Sequence, residues 1–579
     1  MKIRLPKALL TLVAIAATST AQADVVTPTH IWNEGGEMEL KASPKEDGYT
    51  INLKDGQNEA TITKDADTTS ALYVREGTLI IGGLEGEENR VNVSISPVGG
   101  GQLQDDDYPT ILNIAGKNAQ LIIDNATVTS NTETSMSVGG PDGNGSLIIR
   151  NGGQYLGNKQ NYFFIGYQSY RKENSTPIDD VHLTHATTKL PGQNASVADN
   201  RYDSGDYSYN SDESREYGRA VVTVTGEGSR METGLHGMHM GDGEVNILDN
   251  AVFNSNSYAP GDVDASGTPR TGGATSLGDV AGGTSIVNVK DGAVWNIHGQ
   301  LHTGNAADSK SVINVENATV NLLNLRGSFL GLGYDRHKDD YFENGSTTEF
   351  NLQDGSQLNI SEEMYVGVYN HAKITVAKTA VIRDFGNIHG ANDPGYGPAY
   401  QGTPHDRLIV DTFGILENAG TLDIYTVVTG GDFIMQDGAV AKSLTSTAGT
   451  VNLSGNMTFK GDVEIGGSTK LTFALGSTMN IAGDVFTFDA NNGIIYVEIG
   501  DSLVNAETDV LFTLGYTEAD SLQIAEGTLI QLLQNGTKYG EAVSFQVGTN
   551  VATKVIPEPA TATLSLLALV GLAARRRRK

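Results

Sequence analysis

Cysteine is absent from all 579 residues, so disulfides, thiolate metal sites and cysteine nucleophiles are excluded. Aromatic residues are sparse at 7%, and tryptophan occurs twice, at Trp32 and Trp295. Proline is scarce too, 15 residues against 70 glycines, which fits neither a collagenous chain nor a Pro-rich disordered one. Basic residues are few, 39 against 69 acidic, for a formal charge of −30. Such a field repels nucleic acid and other polyanions unless a cation bridges them, so no nucleic-acid partner is expected. A chain of this length can bury enough surface to hold itself together without covalent staples.

Catalytic signatures are missing as well. The sequence holds no Gly-x-Ser-x-Gly elbow, His-Glu-x-x-His pair, P-loop or dinucleotide fingerprint, and the chain is not expected to be an enzyme. Three sets of side chains offer metal-ligand chemistry. His236, His239, Asp242 and Glu244 lie close in sequence, Asp105-Asp106-Asp107 offers hard oxygen ligands, and Asp142-Gly143-Asn144-Gly145 resembles part of a calcium loop. The first set is expected as solvated polar positions on a strand edge and turn, the second reads as an exposed acidic turn, and the third lacks the later ligands of a calcium loop. No cofactor is therefore expected, calcium being the one ion these donors would suit. The rival reading is a carbohydrate-active β-helix enzyme, a polysaccharide lyase or glycoside hydrolase, which needs carboxylates about 5–10 Å apart over one groove.

What is present is a repeat. A short β-type run leads into an acidic residue or Asn followed by Gly or Asn, and a second alternating run follows. The pairs are Asp55-Gly56, Glu76-Gly77, Asp124-Asn125, Asn151-Gly152, Glu227-Gly228, Asp249-Asn250, Asp291-Gly292, Glu316-Asn317, Asp354-Gly355, Glu417-Asn418 and Asp437-Gly438. Each second residue tolerates positive φ, as a tight turn requires. The shorter intervals between pairs cluster at 20 to 27 residues. A third run closed by glycine keeps step with them: Met136-Ser137-Val138-Gly139, Phe163-Phe164-Ile165-Gly166, Met238-His239-Met240-Gly241, Leu301-His302-Thr303-Gly304 and Tyr365-Val366-Gly367. A unit of this size has an apolar face that only its neighbours can cover. Alternation assigns faces: Val287, Val289, Trp295 and Ile297 inward, Asn288 and Lys290 outward, with Phe350, Leu352, Leu358 and Ile360 inward in the matching unit. The expected fold is all-β, a right-handed parallel β-helix (β-solenoid) with long edge loops. The loops are residues 168–219, 334–345 and 388–405, and they are the expected sites of recognition.

The two ends carry different signals. Lys2, Arg4 and Lys7 precede an apolar stretch, and Ala21 and Ala23 form a small-x-small cleavage site before Asp24, as in a secretory signal peptide. At the other end, Pro557-Glu558-Pro559 precedes an apolar run over 560–574 and the basic cluster Arg575, Arg576, Arg577, Arg578 and Lys579. The run makes a helix of about 22 Å, lengthened by snorkelling basic side chains that keep the terminus cytoplasmic. Removing both ends takes away eight basic residues and one acidic, leaving 31 against 68, a net charge of −37.

This three-part ending resembles the PEP-CTERM sorting signal. The resemblance implies an exosortase-type membrane peptidase as processing partner, acting near Pro557, Glu558 and Pro559, with transient residence in the inner membrane. It further implies display at the cell surface, outer membrane or extracellular matrix of a Gram-negative-type bacterium that makes extracellular polysaccharide. The body resembles the β-helical passengers of autotransporters in runs such as Gly77-Thr78-Leu79-Ile80-Ile81-Gly82 and Asp291-Gly292-Ala293. It departs from them in ending on a sorting tail where that family has a membrane barrel. The expected organisation is a signal helix over 1–23, a β-solenoid with insertions over 24–420, a C-terminal β segment or cap over 421–546, a linker over 547–556 and the sorting tail with its transmembrane helix over 557–579. The expected role is an exported structural or adhesive protein, with extracellular polysaccharide or other glycans as partners.

Overall fold

The computed structural model describes residues between Asp24 and Val555, with side chains from Val74 onward. Residues 83–89, 96–109, 167–217, 256–273 and 386–406 are the longer stretches outside it. The expected terminal helices, the Asp105–Asp107 turn and most of the three loops therefore lie outside the described residues. Among those that are described, the chain is all-β with no α-helix.

Parallel strands build three long ladders, most strands pairing with the third strand before them and the third after them. One repeat shows how. Thr284–Lys290 pairs with Lys310–Glu316, Val294–Ile297 with Thr319–Leu322, and Leu301–Thr303 with Ser328–Leu330, all parallel and in register. The sequence dictates each step. Val287 and Val289 are buried while Asn288 and Lys290 are part-exposed, the period-two alternation of a strand covered on one side. Asp291 and Gly292 then both take positive φ, which turns the chain sharply, and Trp295 and Ile297 resume the inward parity with no exposure. Phe350, Leu352, Leu358 and Ile360 repeat the arrangement two repeats later. Inward side chains from all three ladders join one continuous core running from Val74 to Val551.

Of the eleven turn pairs, eight place positive φ on their second residue, from 46° at Asn125 to 80° at Gly228 and Gly438. Two do not form turns. Glu76-Gly77 lies inside the strand Leu72–Gly82, where the register shifts, and Glu417-Asn418 ends the strand Gly414–Asn418 with Asn418 buried. Asp55-Gly56 is outside the described residues. The closing glycines of the third ladder are positive in φ at Gly139, Gly166, Gly304 and Gly367.

The pairing continues through the expected boundary at 420/421. Thr421–Val428 serves two ladders in one strand, 421–423 beside Val381–Asp384 and 425–428 beside Arg407–Val410. Beyond it the repeats shorten but stay parallel as far as Leu529–Gln534, on which Thr537–Ser544 folds back antiparallel. Val551–Val555 pairs parallel with Phe512–Tyr516, so a strand occupies part of the span expected as a linker. Residues 334–345 include a small antiparallel pair, Tyr334–Asp335 with Asp340–Tyr341.

Candidate functional site

The outward side of the third ladder collects the aromatic and titratable side chains. Register aligns Phe164, His239, Ser276, His302, Phe329, Tyr365 and Ile409 on successive strands. At its start the column is buried. His239 Nδ1 lies 2.8 Å from Asp279 Oδ2, and Ser276 Oγ and Asn305 Nδ2 donate to Asp279 Oδ1 at 2.7 and 2.9 Å. Phe164 and Tyr162 stack at 5.6 Å between centroids, and both lie against the His239 ring.

Burial by itself would raise the Asp279 carboxyl, and it is the largest single influence. The hydrogen bond and charge of His239, with the Ser276 and Asn305 bonds, together outweigh it and hold the group below the ordinary carboxylate range. Its folded value being depressed, the stability it contributes is present above the unfolded value of about 3.9 and is lost as pH falls through the folded one. Asp279→Asn is therefore expected to flatten the loss of thermal stability below about pH 4. Melting temperatures of both proteins at pH 2 to 6 check this.

Further along, the rings stand part-exposed. His302 meets Phe329 edge-on at 5.7 Å, and Phe329 stacks on Tyr365 at 5.0 Å with only 10° between planes. Faces stacked in this way cover one another and turn their edges outward. Glu363 accepts from the Tyr365 hydroxyl at 2.5 Å and pairs with Arg407. Both carboxylates along this column are engaged, Asp279 by His239, Ser276 and Asn305 and Glu363 by Tyr365 and Arg407.

Among the described residues, the side chains considered as metal ligands each meet another partner. His239 turns to Asp279, Asp242 accepts from the Thr284 N–H at 3.4 Å, and Glu244 meets Arg219 at 3.5 Å and Asn288 at 3.2 Å. Asn144 accepts from the N–H of Arg219, the last residue of the span 168–219, at 2.8 Å. No group of three His, Asp or Glu among the described residues could hold a metal ion. His236 and Asp142 lie outside them, as do Ala21, Ala23, Pro557, Glu558, Pro559 and the cluster Arg575, Arg576, Arg577, Arg578 and Lys579. Asp24 opens the first described strand, Asp24–Thr27. No helix among the described residues is long and apolar enough to cross a membrane.

Two outward columns of asparagine escaped the reading of the sequence. In one, Asn288 donates to Asn246, Asn314 to Asn288 and Asn351 to Asn314, at 2.9 to 3.1 Å. In the other, Asn296 donates to Asn254, Asn321 to Asn296 and Asn359 to Asn321, at 2.6 to 2.7 Å. The available signal was phase: members of the second column fall four residues after the turn residues Asn250, Gly292, Asn317 and Gly355. Each amide ties one strand to the next outside the core. Asn321→Ala removes one donor and one acceptor and is expected to cost about 1–3 kcal/mol, at 0.5–1.5 per bond. A lower midpoint of urea unfolding with an unchanged slope would show it. No protein-family model, curated protein or solved structure matches the chain.

Proposed function

We propose that the body is a right-handed parallel β-solenoid serving as an exported spacer, sorted through its PEP-CTERM-like tail to a structural or adhesive role at the cell surface. The observation that carries this reading is the third-neighbour pairing, which makes length the property the chain adds with each repeat. Right-handedness follows from the strong preference of parallel crossover connections. The outward surface supports a passive role, being laced by Asn–Asn bonds and strand-to-strand ion pairs such as Lys290–Glu316, Lys310–Glu349 and Lys373–Glu417. Export and sorting rest on Ala21, Ala23, Asp24, the Pro557-Glu558-Pro559 motif and the basic cluster. Glycan or matrix partners would meet the wall or its loops.

The test is intact mass and localisation of the native protein beside a form in which Pro557, Glu558 and Pro559 are all replaced by alanine. The native protein is expected at the surface, shortened at both ends. The altered form is expected in the inner membrane with its tail mass retained. Normal maturation and surface display of the altered form would end the sorting proposal.

A further inference from the structure

Where the third ladder hands the chain back to the first, hydroxyls line the inside of the core. Ser285, Ser311 and Thr348 stand in register on successive strands of the first ladder, and all three are buried. The same column holds Ala220 and Gly243 before them and Ala372 and Gly414 after them. Alanine or glycine is therefore enough for packing, and the hydroxyls answer to something else.

The outer two have partners within the protein. Ser285 Oγ donates to Gly241 O at 2.8 Å and accepts from Gly278 N at 3.0 Å. Thr348 Oγ1 lies 2.7 Å from Thr303 Oγ1, which accepts from Gly331 N at 2.9 Å. The middle rung differs. Ser311 and its near neighbour Ser309 are both buried, and among the described residues neither Oγ has a hydrogen-bond partner. An unpaired buried hydroxyl forfeits its hydration for nothing in return.

The two converge on one spot. A Cβ on Gly278 would stand 2.7 Å from Ser309 Oγ and 3.0 Å from Ser311 Oγ, with Gly304 N next at 3.3 Å. That N–H is already committed to Leu277 O. A calcium ion seeks about six to eight oxygens, and an N–H at the same spot repels any cation. An apolar guest would leave both hydroxyls unpaired. Water is small, donates and accepts, and is held in protein interiors by about two to four polar partners.

We infer that Ser309 and Ser311 bind a single internal water beside Gly278, bridging their two hydroxyls. Gly278 lies between Ser276 and Asp279, so the bridge sits beside the segment that presents both side chains to the buried His239 cluster.

Urea unfolding of the full chain as Ser309→Ala, as Ser311→Ala and as the double variant tests this. Each single change is expected to lower the midpoint, because it strands the other hydroxyl. The double variant is expected to lose no more than the worse single one, since a rung like the neighbouring alanine has nothing left to satisfy. Either single variant at or above the parent midpoint overturns the inference, because that hydroxyl then bridges nothing. A double variant losing more than either single one overturns it too, because each hydroxyl then has its own partner in the protein. So does a parent midpoint that rises in potassium over choline chloride at equal ionic strength while the double variant's does not, which would put an ion at the spot.

Discussion

Gly367→Ala is expected to destabilise the protein by about 4 kcal/mol or more, placing it among the exceptional single substitutions. Gly367 has φ +75°, and a Cβ there would lie 2.0 Å from Gly414 N and 2.2 Å from Phe413 C on the next repeat. Both obstacles are backbone, so no side chain can swing aside. The strands Met364–Val366 and Arg407–Val410 would have to part, breaking the ladder between them. Gly438→Ala is the matched control. Its φ is +80° and nothing lies within 4 Å of the added methyl, so only the left-handed conformation is penalised, by about 1–2 kcal/mol. Urea unfolding of the two variants separates close stacking from conformational freedom. Equal losses would mean that the repeats are not packed this tightly.

Trp295→Ala is the second large effect, expected at about 3–5 kcal/mol. Trp295 is fully buried, between Phe253 on one strand and Val320 on the next. Its indole N–H donates to Ser255 Oγ at 3.2 Å, and Thr275 Oγ1 lies 3.1 Å from the same oxygen. Alanine leaves a cavity in the core and removes a donor from a buried hydroxyl. Trp295→Phe retains most of the volume and is expected to lose clearly less. If thermal unfolding showed the alanine variant within about 1 kcal/mol of the parent, the ring would not be core.

How much of this was legible depends on the range of the interaction. Turns are local, so Asp291-Gly292 and Asn151-Gly152 announce themselves by residue type, and their positive φ follows. Face assignment is local too, which is why Val287, Val289 and Trp295 fall where alternation puts them. Glu76-Gly77 and Glu417-Asn418 show the limit, because the same dipeptide is tolerated within a strand when its neighbours supply a ladder on both sides. The site was much less legible. His239 was grouped with Asp242 and Glu244 by nearness in the chain, yet its partner is Asp279, 40 residues away and on a later repeat. The chain turns at Gly241 and Asp242 between the strands Gly237–Met240 and Gly243–Leu248, so Glu244 stands on a different ladder from His239, while stacking brings distant residues together. The asparagine columns were missed for the same reason: each Asn looks like an ordinary outward residue until the register aligns it with the next.

The central claim is that the chain adds length by stacking repeats, and distance along one column measures it directly. Thr223, Asn246, Asn288, Asn314, Asn351, Thr375, Glu417, Ile434 and Asn452 occupy one outward column in unbroken register. With strands spaced about 4.8 Å, Thr223 should lie about 24 Å from Thr375, five steps on, and about 38 Å from Asn452, eight steps on. Spin labels on cysteines introduced in these two pairs, read by double electron–electron resonance, should give narrow distributions whose separations grow in that five-to-eight proportion. Similar distances for both pairs, or a shorter one for the pair farther apart, would mean that the chain folds back on itself and that the stack does not exist.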